Sequence, residues 1–182
     1  MTDDIKILAT GNLLLGTLGV RTIGKVLLEM MRETKQELLI AAYRFTCSLP
    51  ELRDGLESVL ARGCNVQMIL DAAECENDMA SEGYLSGLLQ SSPNLQIWDF
   101  IGSKVQAGNE TYVARLHAKV VLMDRKKAVV GSANFSRNGL MENHELAVQF
   151  SGKPVVGLAR SIDKFLTRGR ASGALRLRTR HD

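Results

Sequence analysis

Cysteines are few in this sequence, and their spacing does not suggest that any two of them form a disulfide. The 182 residues include only Cys47, Cys64 and Cys75, and the sequence contains no Cys-x-x-Cys pair. A disulfide framework is therefore excluded, and reduced thiols of a cytoplasmic protein are expected. Carboxylates and histidines with the spacing of metal ligands are also missing, so we expect no cofactor and no metal.

Long hydrophobic runs are missing as well. The apolar stretch at 13–20 is short and is interrupted by Gly16 and Gly19, whereas a membrane-spanning helix needs about 20 apolar residues. The sequence opens Met-Thr-Asp-Asp, which is acidic where a secretory leader is basic. We therefore expect a cytoplasmic protein without stable membrane association. Aromatic residues make up only 5% of the chain, which argues against a groove that binds single strands by base stacking.

Positive charge is concentrated at the C-terminal end. Residues 152–182 carry eight Lys or Arg against two Asp, a net +6, whereas the other 15 basic and 18 acidic residues leave the rest of the chain at −3. Such a distribution favours a polyanionic partner. The alternative is a solvated basic tail, at about 171–182, without a binding role.

Apolar runs alternate with amphipathic segments, and the length fits a single domain over 1–182. This alternation predicts an α/β fold with a mixed, largely parallel sheet flanked by helices on both faces. A polar loop is expected at 104–110. The predicted strands are 37–45, 65–71, 94–100, 116–123, 127–130 and 143–150, and the predicted helices are 22–36, 50–62, 78–89 and 155–167.

Residues 115–150 carry the polar groups that suggest chemistry. If 116–123 is a strand, His117 and Lys119 share a face, and burying both without partners would be costly. Such a pair suits an anionic ligand. Gly131 permits a close backbone approach, and Ser132 and Asn134 share a parity and offer hydrogen-bond donors. Together these groups can bind a phosphate.

Further candidates lie around this group. The Glu145 carboxylate is expected to hold the Nδ1–H of His117, as the third member of an activated nucleophile does. Asp124 has the opposite parity, so we expect it to be structural, paired with a backbone amide or a basic group. Arg115 and Arg44 are possible substrate contacts.

The spacing His-x-Lys-x4-Asp-x6-Gly-Ser-x-Asn resembles the HKD signature of the phospholipase D superfamily. Glu145 stands where the single-motif bacterial nucleases of that superfamily carry a glutamate, and the resemblance covers about residues 20–165. It implies a metal-independent phosphodiesterase in which one histidine forms a phosphohistidine and a second protonates the leaving oxygen. Lys119 and Asn134 would then hold the non-bridging oxygens, with Ser132 in support.

That chemistry needs two histidines, and only His117 is followed by the matching Lys and Asp. His144 and His181 are weak candidates for the second role. The sequence therefore predicts a homodimer, in which a two-fold axis brings a second His117 to the site.

Three functions remain open. The preferred one is a nuclease without sequence preference, acting on DNA first and RNA second and binding through a salt-sensitive backbone attraction. The second is a phospholipase or phosphatidyltransferase with the same chemistry. The third is a nucleic-acid-binding subunit without turnover.

Overall fold

A computed structural model of the chain describes residues 4–16 and 19–180. Within these ranges lie eleven strands, five α-helices and one turn of π-helix. They are β1 (Ile5–Thr10), β2 (Arg21–Thr22), α1 (Ile23–Glu33), β3 (Glu37–Ala42), α2 (Pro50–Ala61), β4 (Asn65–Asp71), α3 (Ala72–Glu76), α4 (Met79–Ser91), β5 (Leu95–Phe100), β6 (Ser103–Ala107), β7 (Glu110–Ala114), β8 (Lys119–Met123), β9 (Lys127–Gly131), the π-turn (Asn138–Glu142), β10 (Glu145–Ser151), α5 (Lys153–Ala171) and β11 (Leu175–Leu177).

The main sheet runs in the order β11-β5-β4-β3-β8-β9-β10-β1-β2, and β6 and β7 form a separate hairpin. The prediction of a mixed α/β sheet is confirmed. Its parallel part is smaller than expected, because among the described strands only β3-β4-β5 and β1-β2 pair in parallel. The link between β8 and β9 is too short for a crossover, so these two strands pair antiparallel.

Two hydrophobic layers cover the two faces of the sheet. Side chains alternate along β3, so that Leu38 and Ile40 join the layer beneath α1, α2 and α4, whereas Leu39 and Ala41 join the layer beneath α5. The expected arrangement of helices on both faces is therefore present. Among the described residues, no helix combines the length and the apolarity needed to cross a bilayer.

Several boundaries differ from the sequence prediction. The polar segment at 104–110 belongs to the β6–β7 hairpin, whose side chains are nearly all exposed. Exposure on both faces removes the alternation of apolar residues that reveals a strand. The strand predicted at 37–45 ends at Ala42, and the one predicted at 116–123 begins only at Lys119.

Candidate active site

His117 lies just before β8, in the connection from the β6–β7 hairpin, and its side chain is exposed. The expected strand geometry for this residue is therefore wrong, since β8 starts two residues later. The structure nevertheless places His117 beside Lys119. The Nζ of Lys119 donates a hydrogen bond to the His117 carbonyl oxygen at 3.1 Å.

Lys119 is a buried cation, with 8% of its surface exposed. Its Nζ lies 5.1 Å from the ring centroid of Tyr43. Burial lowers the pKa of the Lys119 ammonium below its ordinary value, and the negative charge of Glu145 acts in the opposite direction. A cation held at this position with few solvent contacts is well suited to binding an anionic oxygen.

The end of β9 brings Gly131, Ser132 and Asn134 to the same region. A Cβ on Gly131 would lie 2.7 Å from the Leu146 carbonyl oxygen, so the close approach of β9 to β10 requires glycine. The Oδ1 atom of Asn134 is buried, and among the described residues it has no hydrogen-bond partner. The Asn134 amide nitrogen, in contrast, is not buried and makes no hydrogen bond among the described residues, so its N–H groups are available to an anionic ligand.

Glu145, the first residue of β10, binds a different partner from the one predicted. Its carboxylate accepts hydrogen bonds from the Ser132 hydroxyl and, at 3.4 Å, from the Asn143 amide, rather than from His117. Glu145 thus fixes Ser132 in this structure. Its influence on Lys119 is electrostatic and acts through space.

Asp124 lies in the β8–β9 turn, where its carboxylate accepts from the backbone N–H groups of Lys35, Gln36 and Glu37 at 3.0, 2.9 and 3.0 Å. Backbone amides are one of the two kinds of partner expected for it. Burial by itself raises the pKa of Asp124, but these N–H donors outweigh burial and hold the pKa below its ordinary value. The carboxylate thereby joins the turn to the start of β3.

Arg115 is bound within the protein. Its Nε donates to both carboxylate oxygens of Asp71 at 3.0 Å, and Asp71 also accepts from the Leu116 N–H at 2.9 Å. These bonds fix the segment that leads to His117, and the possible contact of Arg115 with substrate stays a prediction, since 41% of its side chain remains exposed. Arg44 is exposed, and its backbone oxygen accepts from Phe135 at 3.0 Å.

Sequence reasoning did not select Tyr43, Asp71 or Glu74 for the site. The Tyr43 ring lies 4.5 Å from the His117 ring, centroid to centroid, and its hydroxyl donates to Glu74 at 2.8 Å. The position of Asp71 at the carboxyl end of a parallel strand was an available signal, because sites of α/β sheets collect at that edge.

Part of the basic C-terminal end has a structural role. Arg178 binds Asp99 at 2.9 Å and Glu82 at 2.8 Å, and Arg180 donates to backbone carbonyls at the end of α4 and the start of β5. Besides Arg180, the exposed basic residues of this region lie on α5 and β11: Lys153, Arg160, Lys164, Arg168, Arg170 and Arg176.

Of the two other histidines, His144 is exposed and its Nε2 accepts from the Leu13 N–H at 3.4 Å. His181 lies outside the described residues. Among the described residues, no group of three or more His, Cys, Asp or Glu side chains is arranged to hold a metal ion.

Comparison with known proteins identifies the family. Residues 27–165 match the family described as cardiolipin synthase, PLD-like domain. The chain therefore belongs to the phospholipase D-like family. It is also 30% identical over 132 residues to the DISARM protein DrmC of Bacillus paralicheniformis, an alignment that covers 72% of this chain and 50% of that protein. The chain thus spans about half the length of this curated relative.

Solved structures show the same fold. NucT from Helicobacter pylori aligns with a TM-score of 0.71 and 22% identity, over 92% of this chain and 97% of that one. Nuc from Salmonella typhimurium, a phospholipase D family member, aligns with a TM-score of 0.64 and 20% identity, over 97% of this chain and 99% of that one. Phosphatidylserine synthase from Haemophilus influenzae aligns with a TM-score of 0.67 and 14% identity, over 97% of this chain and 40% of that one.

Proposed function

We propose that this protein is a metal-independent nuclease that hydrolyses phosphodiester bonds of DNA, and of RNA as a second substrate, through a phosphohistidine. One observation carries the proposal: the exposed imidazole of His117 and the buried ammonium of Lys119 both lie within about 5 Å of the Tyr43 ring centroid, at 4.5 and 5.1 Å, and so belong to one small region. The ring is open to an incoming phosphate, and the cation is held where it can stabilise negative charge on the phosphoryl oxygens.

The reaction proceeds in two balanced steps. A ring nitrogen of His117 attacks phosphorus, the P–N bond forms, and the bond to the leaving oxygen breaks while that oxygen takes a proton from a second imidazole. That imidazole, now neutral, takes a proton from water. The hydroxide oxygen bonds to phosphorus, the P–N bond breaks, and His117 is regenerated. Lys119 and the Asn134 amide hold the non-bridging oxygens throughout.

The second imidazole is supplied by a homodimer. Ile5 and Ile7 on β1 and Leu146 on β10 are 64%, 50% and 54% exposed. They lie on one face of the sheet and form the β1–β10 patch, which is on the face opposite to the Glu145 side chain. An uncovered apolar patch fits a second copy of this chain, and the proposed dimer requires a two-fold axis that brings two His117 side chains together.

Nucleic acid is the preferred substrate for two reasons. The sequence resembles the single-motif bacterial nucleases, and exposed arginines on α5 and β11 supply a salt-sensitive attraction for a phosphate backbone. A phospholipid is the alternative. It is favoured by the description of the matching family and by an apolar cavity of about 670 Å3 beside α1, α2 and the π-turn, lined in part by Leu28, Leu49 and Met141.

The deciding experiment incubates plasmid DNA, RNA and phosphatidylcholine vesicles with the protein in EDTA. Cleavage of DNA that disappears in His117→Asn and persists in His144→Asn supports the proposal, since both variants lose one exposed histidine. Lipid turnover alone moves the assignment to the phospholipid. Salt-sensitive DNA binding without turnover identifies a binding subunit, and a strict requirement for a divalent cation refutes the mechanism.

Light scattering tests the dimer on the same samples. We expect a mass of about twice 20.0 kDa. Leu146→Lys is expected to give an inactive, folded monomer, because the side chain is already half exposed in one copy. A catalytically active monomer contradicts the homodimer.

A further inference from the structure

Tyr43 contacts both groups that the proposed reaction uses. Its ring lies 4.5 Å from the His117 ring at an interplanar angle of 56°, and the Lys119 Nζ lies 5.1 Å from its centroid. The Tyr43 backbone N–H donates to the Ala118 oxygen at 2.9 Å, which ties the end of β3 to the start of β8. One aromatic ring therefore contacts both the imidazole and the ammonium.

The Tyr43 ring has further partners besides His117 and Lys119. The Tyr43 hydroxyl donates to Glu74 at 2.8 Å, and the Arg115 guanidinium lies 5.8 Å from the ring centroid. Arg115 is in turn bound to the buried carboxylate of Asp71. The network joins the end of β3 to the β4–α3 stretch and to the segment that carries His117, so the ring is oriented by groups on two other segments.

His117 depends on this contact, because among the described residues its imidazole makes no hydrogen bond that would orient it. The carboxylate expected in that role, Glu145, binds Ser132 instead. We propose that Tyr43 is the positioning residue of the site: its ring face fixes the imidazole of His117 and, by cation–π attraction, favours the charged form of Lys119. The catalytic consequence rests on the proposed function, whereas the contact itself does not.

The test compares Tyr43→Phe and Tyr43→Leu with wild type on bis(p-nitrophenyl) phosphate, a generic phosphodiester. Tyr43→Leu removes the ring, and a misplaced nucleophile is expected to lower kcat by about 10- to 100-fold with little change in KM. Tyr43→Phe keeps the ring and is expected to keep most of kcat. Tyr84→Leu is the matched control, since Tyr84 is also half-buried with an arginine 5.0 Å from its ring, but on α4.

The pH profile separates positioning from general damage. Loss of the ring removes an attraction for the Lys119 cation, so the alkaline limb of kcat is expected to move to lower pH by roughly half a unit in Tyr43→Leu. The same limb is expected to stay in place in Tyr84→Leu. The remaining charged or titratable groups around the ring and the ammonium are unchanged in these variants: His117, Glu145, Arg115, Asp71 and Glu74.

A second readout needs no catalysis. In wild-type protein the Tyr43 ring current is expected to shift the His117 ring-proton NMR signals, which His117→Asn assigns, and Tyr43→Leu is expected to remove that shift. Unchanged signals, or a Tyr43→Leu enzyme with wild-type kcat, overturn the role of Tyr43. Equal losses in Tyr43→Phe and Tyr43→Leu also overturn it, because they assign the effect to the hydroxyl. A wild-type protein that cleaves no phosphodiester refutes the proposed function but leaves the NMR test valid.

Discussion

Asp124 belongs to the family motif but is expected to stabilise the fold rather than take part in the chemistry, and its replacement tests this distinction. Asp124→Ala removes the acceptor of three backbone N–H groups, at Lys35, Gln36 and Glu37. Because each hydrogen bond contributes about 1 kcal/mol, the free energy of unfolding should fall by about 3 kcal/mol. The φ of 49° at this position adds to the cost for alanine. For a chain of this length such a loss corresponds to a fall in Tm of about 6–12 °C.

The pH dependence has a definite sign. Because the pKa of folded Asp124 is held below its ordinary value, the carboxylate stabilises the fold above the unfolded-state pKa of about 3.9. That contribution is lost as pH falls through the folded value. The free energy of unfolding of Asp124→Ala should therefore lie below that of wild type by the whole of this difference at pH 7, and the difference should decrease below about pH 4.

Urea unfolding at a series of pH values, followed by circular dichroism, measures this difference. Asp163→Ala is the control, because it removes a half-exposed partner of Arg125 and should cost less than about 1 kcal/mol. Asp124→Asn, which tolerates the positive φ, should fall between wild type and Asp124→Ala. An Asp124→Ala protein of wild-type stability, or one that is fully folded yet inactive, refutes the structural role.

Two further predictions concern the phosphate site. Glu145→Gln removes the charge that raises the pKa of Lys119, so the alkaline limb of kcat should move to lower pH, and an unmoved limb would show that the two groups do not interact. Gly131→Ala places a Cβ 2.7 Å from the Leu146 oxygen and 2.8 Å from the Ala147 Cα, which should cost about 2 kcal/mol by thermal unfolding. Its control is Gly157→Ala, where the added Cβ meets nothing within 4 Å; equal stability of the two variants would contradict the close-approach argument.

Sequence patterns located the buried strands well. The strand predicted at 65–71 matches β4, and that at 94–100 matches β5 to within one residue, since continuous apolar runs mark strands covered on both faces. The same reasoning failed for the exposed β6–β7 hairpin and for β1 and β11. The side chains of β6 and β7 lack apolar alternation, whereas β1 and β11 pair with β10 and β5, which are distant in the chain.

Some features of the candidate site could also be predicted from the sequence, and others could not. The spacing of His117, Lys119 and Asn134 pointed to phosphate chemistry because these groups lie within one short stretch of chain. That Arg115 is bound to Asp71, and that Glu145 binds Ser132, did not follow from spacing, because each pair joins separate segments.

The sequence alone therefore determined the family, the mixed α/β class and the residue types available to a phosphate. Tertiary structure decided which side chains remain open to a ligand. It also decided that Tyr43 contacts His117 and that Arg178 is used to hold the fold. The physical reason is that side-chain partners are selected by distance in space, and when strands far apart in the chain become neighbours, charges and rings meet in combinations that local patterns do not encode.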